Sequence, residues 1–201
     1  MYSKYLLMVF FMCLFIGVTS VASATEKSDK GTVVAHVTVR NHDVIVYKIG
    51  EVEAPNTDKG VDGFAIDVAY WLHEWTKEHG VEAIGNLCHT PDGKRWGTIL
   101  LTIYAHTTSP RTELCPDGMV LSGSDIHSHP QRHTYPVNFV DQLFLHNGLM
   151  TESKIATEPD VFSPEDYQDP DDYLVGQFKL HHEHGFGTST VVWNMHDPKP
   201  N

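Results

Sequence analysis

One amphipathic segment sets the strongest constraint on the fold of this chain. Between Phe64 and His79, apolar residues recur at three- and four-residue spacing, while charged residues occupy the opposite face. An apolar stripe of this kind must pack against another layer of structure. Gly80 follows at the position typical of a helix C-cap, so the pattern predicts a helix over 64–79.

Segments rich in β-branched and aromatic residues flank this helix on both sides. Residues 32–39 and 44–49 surround a polar turn and predict a hairpin, and 51–63 predicts a loop. After the helix the pattern predicts one short helix over 140–145 and strands over 81–89, 96–106, 119–121, 125–129, 173–180 and 188–196. This order favours a single α+β domain with a mostly antiparallel or mixed sheet, in which the long helix precedes a Glu-bearing strand.

The first 24 residues predict a removable leader. Lys4 gives a positive start, residues 5–18 are almost unbroken apolar sequence, and Ala22-Ser23-Ala24 has the small-x-small pattern of a cleavage site. These features are typical of a secretory signal peptide, with an uncleaved N-terminal anchor as the alternative. Since the apolar run is short for a membrane span, we expect an exported domain over 25–201, periplasmic or secreted, with no stable span after cleavage.

Charge and cysteine content exclude several classes of protein. The chain has 14 Lys and Arg against 26 Asp and Glu, a net charge of −12, whereas nucleic-acid binding needs clustered cationic residues. Three cysteines are too few for a disulfide framework. Two of them, Cys88 and Cys115, lie outside the leader and either pair or remain free buried thiols. The 14 histidines are the feature that needs a function.

Two of these histidines have the spacing of metal ligands. His127 and His129 stand in the segment 125–130, which the pattern predicts to be extended. Residues i and i+2 of a strand point to the same side, so both imidazoles can reach one metal ion. Among 14 histidines, a chance pair on a strand surface is the alternative.

Two acidic residues elsewhere suggest partners for this pair. In the segment 162–166, Ser163 can cap a short helix that begins at Pro164, or Asp166 can supply an oxygen ligand beside Ser163. Glu82 stands among apolar residues at the start of the strand predicted over 81–89. The alternative to a functional role is that Glu82 is an ordinary strand residue whose side chain faces solvent.

Taken together, these segments resemble the JAMM/MPN (JAB) zinc metallopeptidases. The family pattern is Glu-x-x-Gly after a helix, then His-x-His-Pro, then Ser-x-x-Asp. The matching segments are Glu82-Ala83-Ile84-Gly85, His127-Ser128-His129-Pro130 and Ser163-Pro164-Glu165-Asp166. The likeness covers about 64–173 and is closest to bacterial JAB-like domains of unassigned function. It implies a JAMM/MPN-like fold with a layout like that of cytidine deaminases.

The resemblance also implies an activity, zinc-dependent hydrolysis of a peptide or isopeptide bond with one zinc ion per chain. It assigns zinc binding to His127, His129 and Asp166, general-base catalysis to Glu82, and stabilisation of the oxyanion to Ser163. We expect Ser128 or Asp125 to orient the imidazoles. The expected substrate is a peptide, a protein or the peptide part of a cell wall, and the oligomeric state stays open.

One spacing departs from the family pattern. Asp166 lies 37 positions after His129, much farther than the pattern places it. The extra residues, 131–161, are expected to loop out as an insertion that forms a lid or a substrate-binding loop. Asp141 is nearer to His129 and is the rival ligand, but Asn138 stands where the pattern requires Ser.

Two other functions remain open at this stage. One is a catalytically inactive JAMM-like scaffold or binding module, and the other is a secreted metal-binding protein that uses the histidine excess. The cluster His181-His182-x-His184 either binds a second metal or forms a solvated turn, and the turn is favoured. One zinc ion per chain would indicate the enzyme, none the scaffold, and several the metal-binding protein.

Overall fold

The chain folds around one open, mixed sheet of nine strands in an α+β arrangement. The computed structural model describes residues 27–107, 109–110, 112–144, 154–156, 158–168, 171–185 and 187–199. The predicted leader, 1–24, therefore lies outside the described residues. Among the residues that are described, no helix combines the length and the apolar character that a membrane span requires.

The elements follow one another in an order close to the predicted one. The strands are β1 (Lys27–Ser28), β2 (Gly31–Val39), β3 (His42–Pro55), β4 (Ile84–His89), β5 (Arg95–Thr102), β6 (Val120–Ser128), β7 (Thr134–Pro136), β8 (Lys154–Ala156), β9 (Asp172–Val175), β10 (Lys179–Glu183) and β11 (Ser189–Asn194). The helices are α1 (Gly60–His79), α2 (Phe139–Phe144) and a 3₁₀ helix (Asp166–Gln168). The main sheet has the order β1-β2-β3-β5-β4-β6-β9-β10-β11, and β7 pairs with β8 separately.

Helix α1 confirms the amphipathic prediction and begins four residues earlier than predicted. Its apolar face packs into the main core, whose buried members include Val68 and Leu72 from the helix and Leu87 and Ile126 from the sheet. Gly80 ends the helix in the left-handed conformation, with φ of 70°, and its N–H donates to the Thr76 carbonyl at 2.7 Å. A side chain at this φ would be strained, which explains the glycine.

Several predicted strand boundaries are wrong. The predicted strands 81–89 and 96–106 are too long, since β4 begins at Ile84 and β5 ends at Thr102. The predicted loop 51–63 starts too early, because β3 continues to Pro55 in antiparallel register with β5, ending at the pair Pro55–Arg95. The predicted strand 173–180 is two strands, β9 and β10, joined by a tight turn in which the Gly176 N–H donates to the Lys179 carbonyl. The error in the loop concerns a pairing between distant segments, which local sequence pattern does not report, whereas β9 and β10 are neighbours in sequence that pair with each other across the turn.

Strands β6 and β9 form the parallel pair of the sheet, and all its other pairs are antiparallel. The connection between them runs from 129 to 171 and contains the predicted insertion 131–161. The described parts of that insertion include β7, α2 and β8. Late in this connection, Asp166 lies close to the end of β6, 3.6 Å from a ring nitrogen of His127.

The two cysteines outside the predicted leader are paired. Cys88 and Cys115 form a disulfide with their Cα atoms 5.8 Å apart, across 27 positions of sequence. The bond joins β4 to the loop that leads into β6. It decides between the two alternatives that the sequence left open.

Replacing both cysteines by alanine is expected to lower the free energy of unfolding by about 3 kcal/mol. The physical reason is that the disulfide restricts the unfolded chain over the loop that it closes. Urea unfolding of the double variant measures the loss. Reduction of the unsubstituted chain should produce a similar loss, and an unchanged unfolding midpoint in both cases would contradict a stabilising role for this bond.

Candidate metal centre

Two imidazoles and one carboxylate meet at the end of β6. His127 lies on β6 and His129 follows directly after its last residue, while Asp166 begins the 3₁₀ helix. The two histidine Nε2 atoms are 3.2 Å apart, and Asp166 Oδ2 is 3.6 Å from each of them. The three ligand atoms lie within 4.8 Å of one another, which makes these residues a possible metal-binding triad.

The orientation of His127 depends on Asp172. Because β6 and β9 are parallel, with Asp125 opposite Asp172 and His127 opposite Leu174, Asp172 is a diagonal neighbour of His127 on the same face. His127 Nδ1 lies 2.8 Å from Asp172 Oδ2. Since an ionised carboxylate only accepts hydrogen bonds, Nδ1 carries a proton and Nε2 faces the triad, where it is the potential ligand atom.

His129 is held in the same way by a backbone carbonyl. Its N–H donates to the Val175 carbonyl at 3.2 Å, and its Nδ1 donates to the Glu158 carbonyl at 3.0 Å. A carbonyl oxygen can only accept, so Nδ1 is the protonated nitrogen and Nε2 is the potential ligand atom. Both histidines therefore direct Nε2 towards the centre of the triad.

The prediction that Ser128 or Asp125 orients the imidazoles is wrong. The Ser128 side chain points to the opposite face of β6, where its Oγ accepts hydrogen bonds from Thr76 Oγ1 at 2.7 Å and from the Ala83 N–H at 3.2 Å. Asp125 instead accepts a hydrogen bond from Asn86. Ser128 thus ties α1 and the segment after it to the end of β6, and the orienting role belongs to Asp172 and the Glu158 carbonyl.

Ser163 and Asp166 bond to each other in a capping arrangement. The Ser163 Oγ accepts from the Asp166 N–H at 3.2 Å, and the Ser163 N–H donates to Asp166 Oδ2 at 2.6 Å. The capping alternative is therefore confirmed in part, although the short helix begins at Asp166 and not at Pro164, and the same two bonds fix the carboxylate of the possible triad. In this arrangement the Ser163 hydroxyl acts as an acceptor and keeps its proton free for donation.

Asp141, the rival ligand, has other partners. It is buried, and its carboxylate accepts from His106 through both the backbone N–H and Nδ1, each at 2.7 Å. It also accepts from the Asn138 N–H at 2.8 Å. The structure brings Asp166, and not Asp141, to the two histidines.

Glu82 lies beside the triad, although not on a strand as predicted. Strand β4 begins only at Ile84, and Glu82 stands in the connection from α1. Its N–H donates to the Ala105 carbonyl at 2.9 Å, and Thr102 Oγ1 donates to its carbonyl at 2.6 Å. Its side chain is 9% exposed, with Oε1 3.9 Å from His129 Nε2. The solvent-facing alternative for this residue is therefore wrong.

Close packing explains why the Glu-x-x-Gly segment has a glycine at position 85. Gly85 lies on β4, where a Cβ would collide with Thr98 Oγ1 and lie 2.9 Å from Leu100 Cδ2. Strand β5 therefore approaches this position too closely for any side chain. On its other edge β4 pairs with β6, with Ile84 opposite His127, which places the start of β4, and with it Glu82, near the end of β6.

The charges at this site favour a cation. Burial lowers the pKa of His127, but Asp172 and Asp166 outweigh burial and hold that pKa well above its usual value. Burial raises the pKa of Asp166, while its contacts with His127 and His129 lower it by more. Burial also raises the pKa of Glu82 to about 7, against the opposing effect of the two histidines. Carboxylates on several sides of two imidazoles create a negative potential that attracts positive charge.

The triad opens into a cavity of about 590 Å³. Glu82 and Ser163 line it together with the three triad residues, so all five residues singled out by the sequence share one cavity. Glu158, from the end of the predicted insertion, also lines this cavity, together with the adjacent Val161 and Phe162. Residues that the sequence did not single out, among them His106 and Ser109, form another part of the wall.

The cluster at His181, His182 and His184 is not the predicted turn. His181 and His182 lie on β10. His182 stacks on Tyr173 with ring centroids 4.0 Å apart, and its Nε2 lies 2.5 Å from Asp171 Oδ1. Within the described residues, these histidines do not form a group of metal-ligand atoms.

The sequence reasoning missed three groups that support the site, Asp172, the Glu158 carbonyl and His106. Asp172 was detectable only through the parallel pairing of β6 and β9, for which the sequence has no local signal. The Glu158 contact involves a backbone atom, so its side-chain identity carries no information. His106 lacks any ligand spacing and was treated as an ordinary surface or partly buried histidine.

Comparison of the chain with known proteins identified no relative. No family model matches the chain, and neither the curated proteins nor the solved structures contain a significant match.

Replacing Asp172 by asparagine is expected to weaken zinc binding by about 10–100-fold. The change keeps the shape of the side chain but removes the negative charge that orients and polarises His127. Competition with a chromophoric chelator measures the affinity. Asp171→Asn is the matched control, because the neighbouring Asp171 contacts His182 and Ser124 instead. Equal losses in the two variants would contradict a specific role for Asp172.

Proposed function

We propose that this chain is an exported zinc-dependent hydrolase of the JAMM type that cleaves a peptide or isopeptide bond. The observation that carries the proposal is the meeting of His127, His129 and Asp166 in one cavity with a buried carboxylate, Glu82. Three ligands and a neighbouring acid that is not a ligand are the parts of a hydrolytic zinc site.

The donor set fits zinc. Two imidazole nitrogens and one carboxylate oxygen are ordinary zinc ligands, and three protein ligands leave the fourth position for water or substrate. Tetrahedral zinc with bonds of about 2.0–2.1 Å separates its ligand atoms by roughly 3.3–3.4 Å. The separations here, 3.2 Å between the nitrogens and 3.6 Å from each nitrogen to Asp166, are close to that spacing.

The residues around the metal-binding triad supply the rest of the chemistry. A zinc ion held by His127, His129 and Asp166 would supply Lewis-acid chemistry for the attack of water on an amide carbonyl. Glu82, whose pKa burial raises to about 7, accepts a proton from the attacking water and returns it to the departing amine. The Ser163 hydroxyl donates a hydrogen bond to the carbonyl oxygen as negative charge develops on it. The buried positions of Glu82 and the histidines keep bulk water away from these transfers.

Membership of the JAMM/MPN family is part of this proposal. Its support is the chain order of the Glu-x-x-Gly, His-x-His-Pro and Ser-x-x-Asp segments and their meeting at one point. Helix α1 directly precedes Glu82, as the pattern requires. The long insertion before Asp166 does not weaken the likeness, because β6 and β9 return the chain to the same place.

Export and substrate class belong to the proposal as well. The leader pattern of 1–24 and the disulfide between Cys88 and Cys115 both suit an oxidising compartment, either periplasmic or extracellular. Peptides, proteins and the peptide cross-links of a cell wall offer amide or isopeptide bonds there. The acidic chain suits such substrates better than nucleic acid.

Zinc content and hydrolysis together test the proposal. We expect elemental analysis of the mature chain to give one zinc ion per chain, and incubation with a peptide library and with cell-wall fragments to release products. A chelator should stop the release and added zinc should restore it. A chain without zinc would favour the scaffold, and several zinc ions would favour the metal-binding protein. Products that persist in the presence of chelator would contradict zinc-dependent hydrolysis.

A further inference from the structure

A second histidine–carboxylate pair lines the cavity that contains the triad. His106 Nδ1 lies 2.7 Å from Asp141 Oδ2. The carboxylate of Asp141 also accepts two backbone N–H groups, from His106 at 2.7 Å and from Asn138 at 2.8 Å. A carboxylate that receives these donors acts as an acceptor, so Nδ1 carries the proton that joins the two side chains. Both residues are buried, with His106 8% exposed and Asp141 1% exposed.

This hydrogen bond determines what His106 offers to the cavity. With Nδ1 committed to Asp141, the neutral ring has its lone pair on Nε2, which is then an acceptor. The ring packs on Tyr135 with centroids 4.8 Å apart, and within the described part of the chain Nε2 has no hydrogen-bond partner. Because His106 lines the cavity, a nearly buried acceptor is available there to a donor of a bound molecule.

The other ionisable groups of the cavity wall add negative charge. Besides the triad, Glu82 and His106, the wall contains two exposed carboxylates, Glu158 and Glu165, which we call the rim carboxylates. The described residues of this wall include no lysine or arginine. His133 Nδ1 lies 4.0 Å from Glu158 Oε2, but both side chains are largely exposed, so this contact offsets the carboxylate only weakly. Outside the triad the wall therefore offers acceptors and negative charge.

An ammonium group matches this set of acceptors. It has three N–H donors and a positive charge, and it has no acceptor of its own. A zinc ion in the triad would not cancel the attraction, because its charge is matched by the carboxylates of Asp166 and Glu82. A carboxylate of a bound molecule, in contrast, would meet like charge from Glu158 and Glu165.

We propose that the cavity selects substrates that carry a positively charged amino group near the cleaved bond, and that His106 Nε2 and the rim carboxylates receive this group. The proposal deepens the proposed function and rests on it for the cleavage. The amino group comes either from the N-terminus of a peptide or from a lysine side chain, and the experiment separates these two sources. Asp141 acts through His106 and is a positioning residue.

The test measures binding, so that it does not depend on turnover. The protein is the zinc-loaded full chain carrying Glu82→Gln. One pair of probes is trialanine amide with a free N-terminus and its neutral match, N-acetyl-trialanine amide. The other pair is N-acetyl-dialanyl-lysine amide and its neutral match, N-acetyl-dialanyl-norleucine amide. The measurement is made at about pH 7.2, between the ordinary pKa values of an imidazole and of an N-terminal amine.

We expect calorimetry to show that one charged probe binds about tenfold more tightly than its neutral match, as a charge-assisted hydrogen bond provides. The pair with the larger difference identifies the source of the amino group. Binding that is equal within both pairs overturns the proposal.

Substitutions in the wall separate its contribution from that of zinc, which also binds free amines. His106→Phe keeps the ring on Tyr135 but removes the acceptor, and Glu158→Gln combined with Glu165→Gln removes the charge of the rim. We expect each variant to lose most of the preference. The matched control is Glu74→Gln combined with Glu78→Gln, two exposed residues of α1 outside the cavity, which should preserve it. A preference that survives undiminished in His106→Phe or in the rim variant overturns the proposal.

The ring of His106 provides a test that needs no substitution at that position, in case His106→Phe does not fold. Nitrogen-15 NMR of the Glu82→Gln chain at the same pH should show a protonated Nδ1 and an unprotonated Nε2. The Nε2 resonance should move with the preferred charged probe and not with its neutral match. A protonated Nε2 in the free protein, or an Nε2 resonance that ignores the charged probe, overturns the proposal.

The outcomes for this inference and for the proposed function are distinguishable. Hydrolysis without any preference for an amino group would leave the zinc hydrolase in place and remove this role of His106. A preference that depends on His106 in a chain that hydrolyses nothing would retain the binding site and remove the proposed reaction.

Discussion

Glu82→Gln is expected to reduce hydrolysis by at least about 100-fold while zinc remains bound. Glutamine has nearly the same shape as glutamate but cannot accept the proton of the attacking water. Glu82 lies 3.9 Å from His129 Nε2 and is not one of the three residues that form the triad, so its loss leaves the ligands intact. The measurement is the initial rate on the best substrate from the peptide library, together with the zinc content of the same sample.

A matched glutamate elsewhere provides the control for this variant. Glu78 is exposed on α1, outside the cavity, and Glu78→Gln is expected to keep the rate of the unsubstituted chain. Full activity of Glu82→Gln would remove Glu82 from the mechanism. Loss of zinc together with activity would instead assign Glu82 to the ligands.

His129→Ala is expected to abolish stable zinc binding and hydrolysis together. The change removes one of the three protein ligands, which should cost more affinity than the about 10–100-fold expected for an orienting partner such as Asp172. The Glu158 carbonyl also loses its donor, so the wall of the cavity loosens at the same point. Elemental analysis after gel filtration measures the remaining zinc, and competition with a chelator measures its affinity.

An exposed histidine away from the site serves as the control for this loss. His196 is exposed and lies against the Phe178 ring with centroids 5.6 Å apart, and His196→Ala is expected to keep both zinc and activity. Zinc retained with unchanged affinity in His129→Ala would mean that the metal binds elsewhere in the chain.

The two variants together separate the three candidate functions. An enzyme loses activity in both variants but loses zinc only in His129→Ala. A scaffold without metal shows no change in zinc content in either variant. A metal-binding protein with several sites loses at most part of its zinc in His129→Ala and is indifferent to Glu82→Gln.

The elements that the sequence predicted best are those set by short-range interactions. The three- and four-residue periodicity of α1 and its C-cap at Gly80 depend on residues within a few positions of one another. The hairpin of β2 and β3 likewise depends on a turn between two adjacent segments. Each of these appears at the predicted place, with ends shifted where long-range pairing extends an element, as at Pro55.

The features of the site also fall into local ones, which the sequence predicted, and long-range ones, which it did not. The sequence by itself identified the residues whose chemistry is unusual, because His127 and His129 alternate on one strand and Ser163 caps the turn that holds Asp166. The tertiary structure decided where they meet, since Asp166 lies 3.6 Å from both histidines although it follows His129 by more than 30 residues. It also moved Glu82 off the predicted strand and into a buried connection.

The sequence therefore determined the α+β class, the long helix and the set of chemically capable residues, because periodicity, capping and ligand spacing are local properties of a chain. Only the tertiary structure decided that Asp172 and the Glu158 carbonyl orient the imidazoles, that Asp141 holds His106, and that Cys88 pairs with Cys115. These contacts depend on the parallel pairing of β6 with β9 and on the packing of the insertion. Both join segments far apart in sequence, and local patterns carry no record of them.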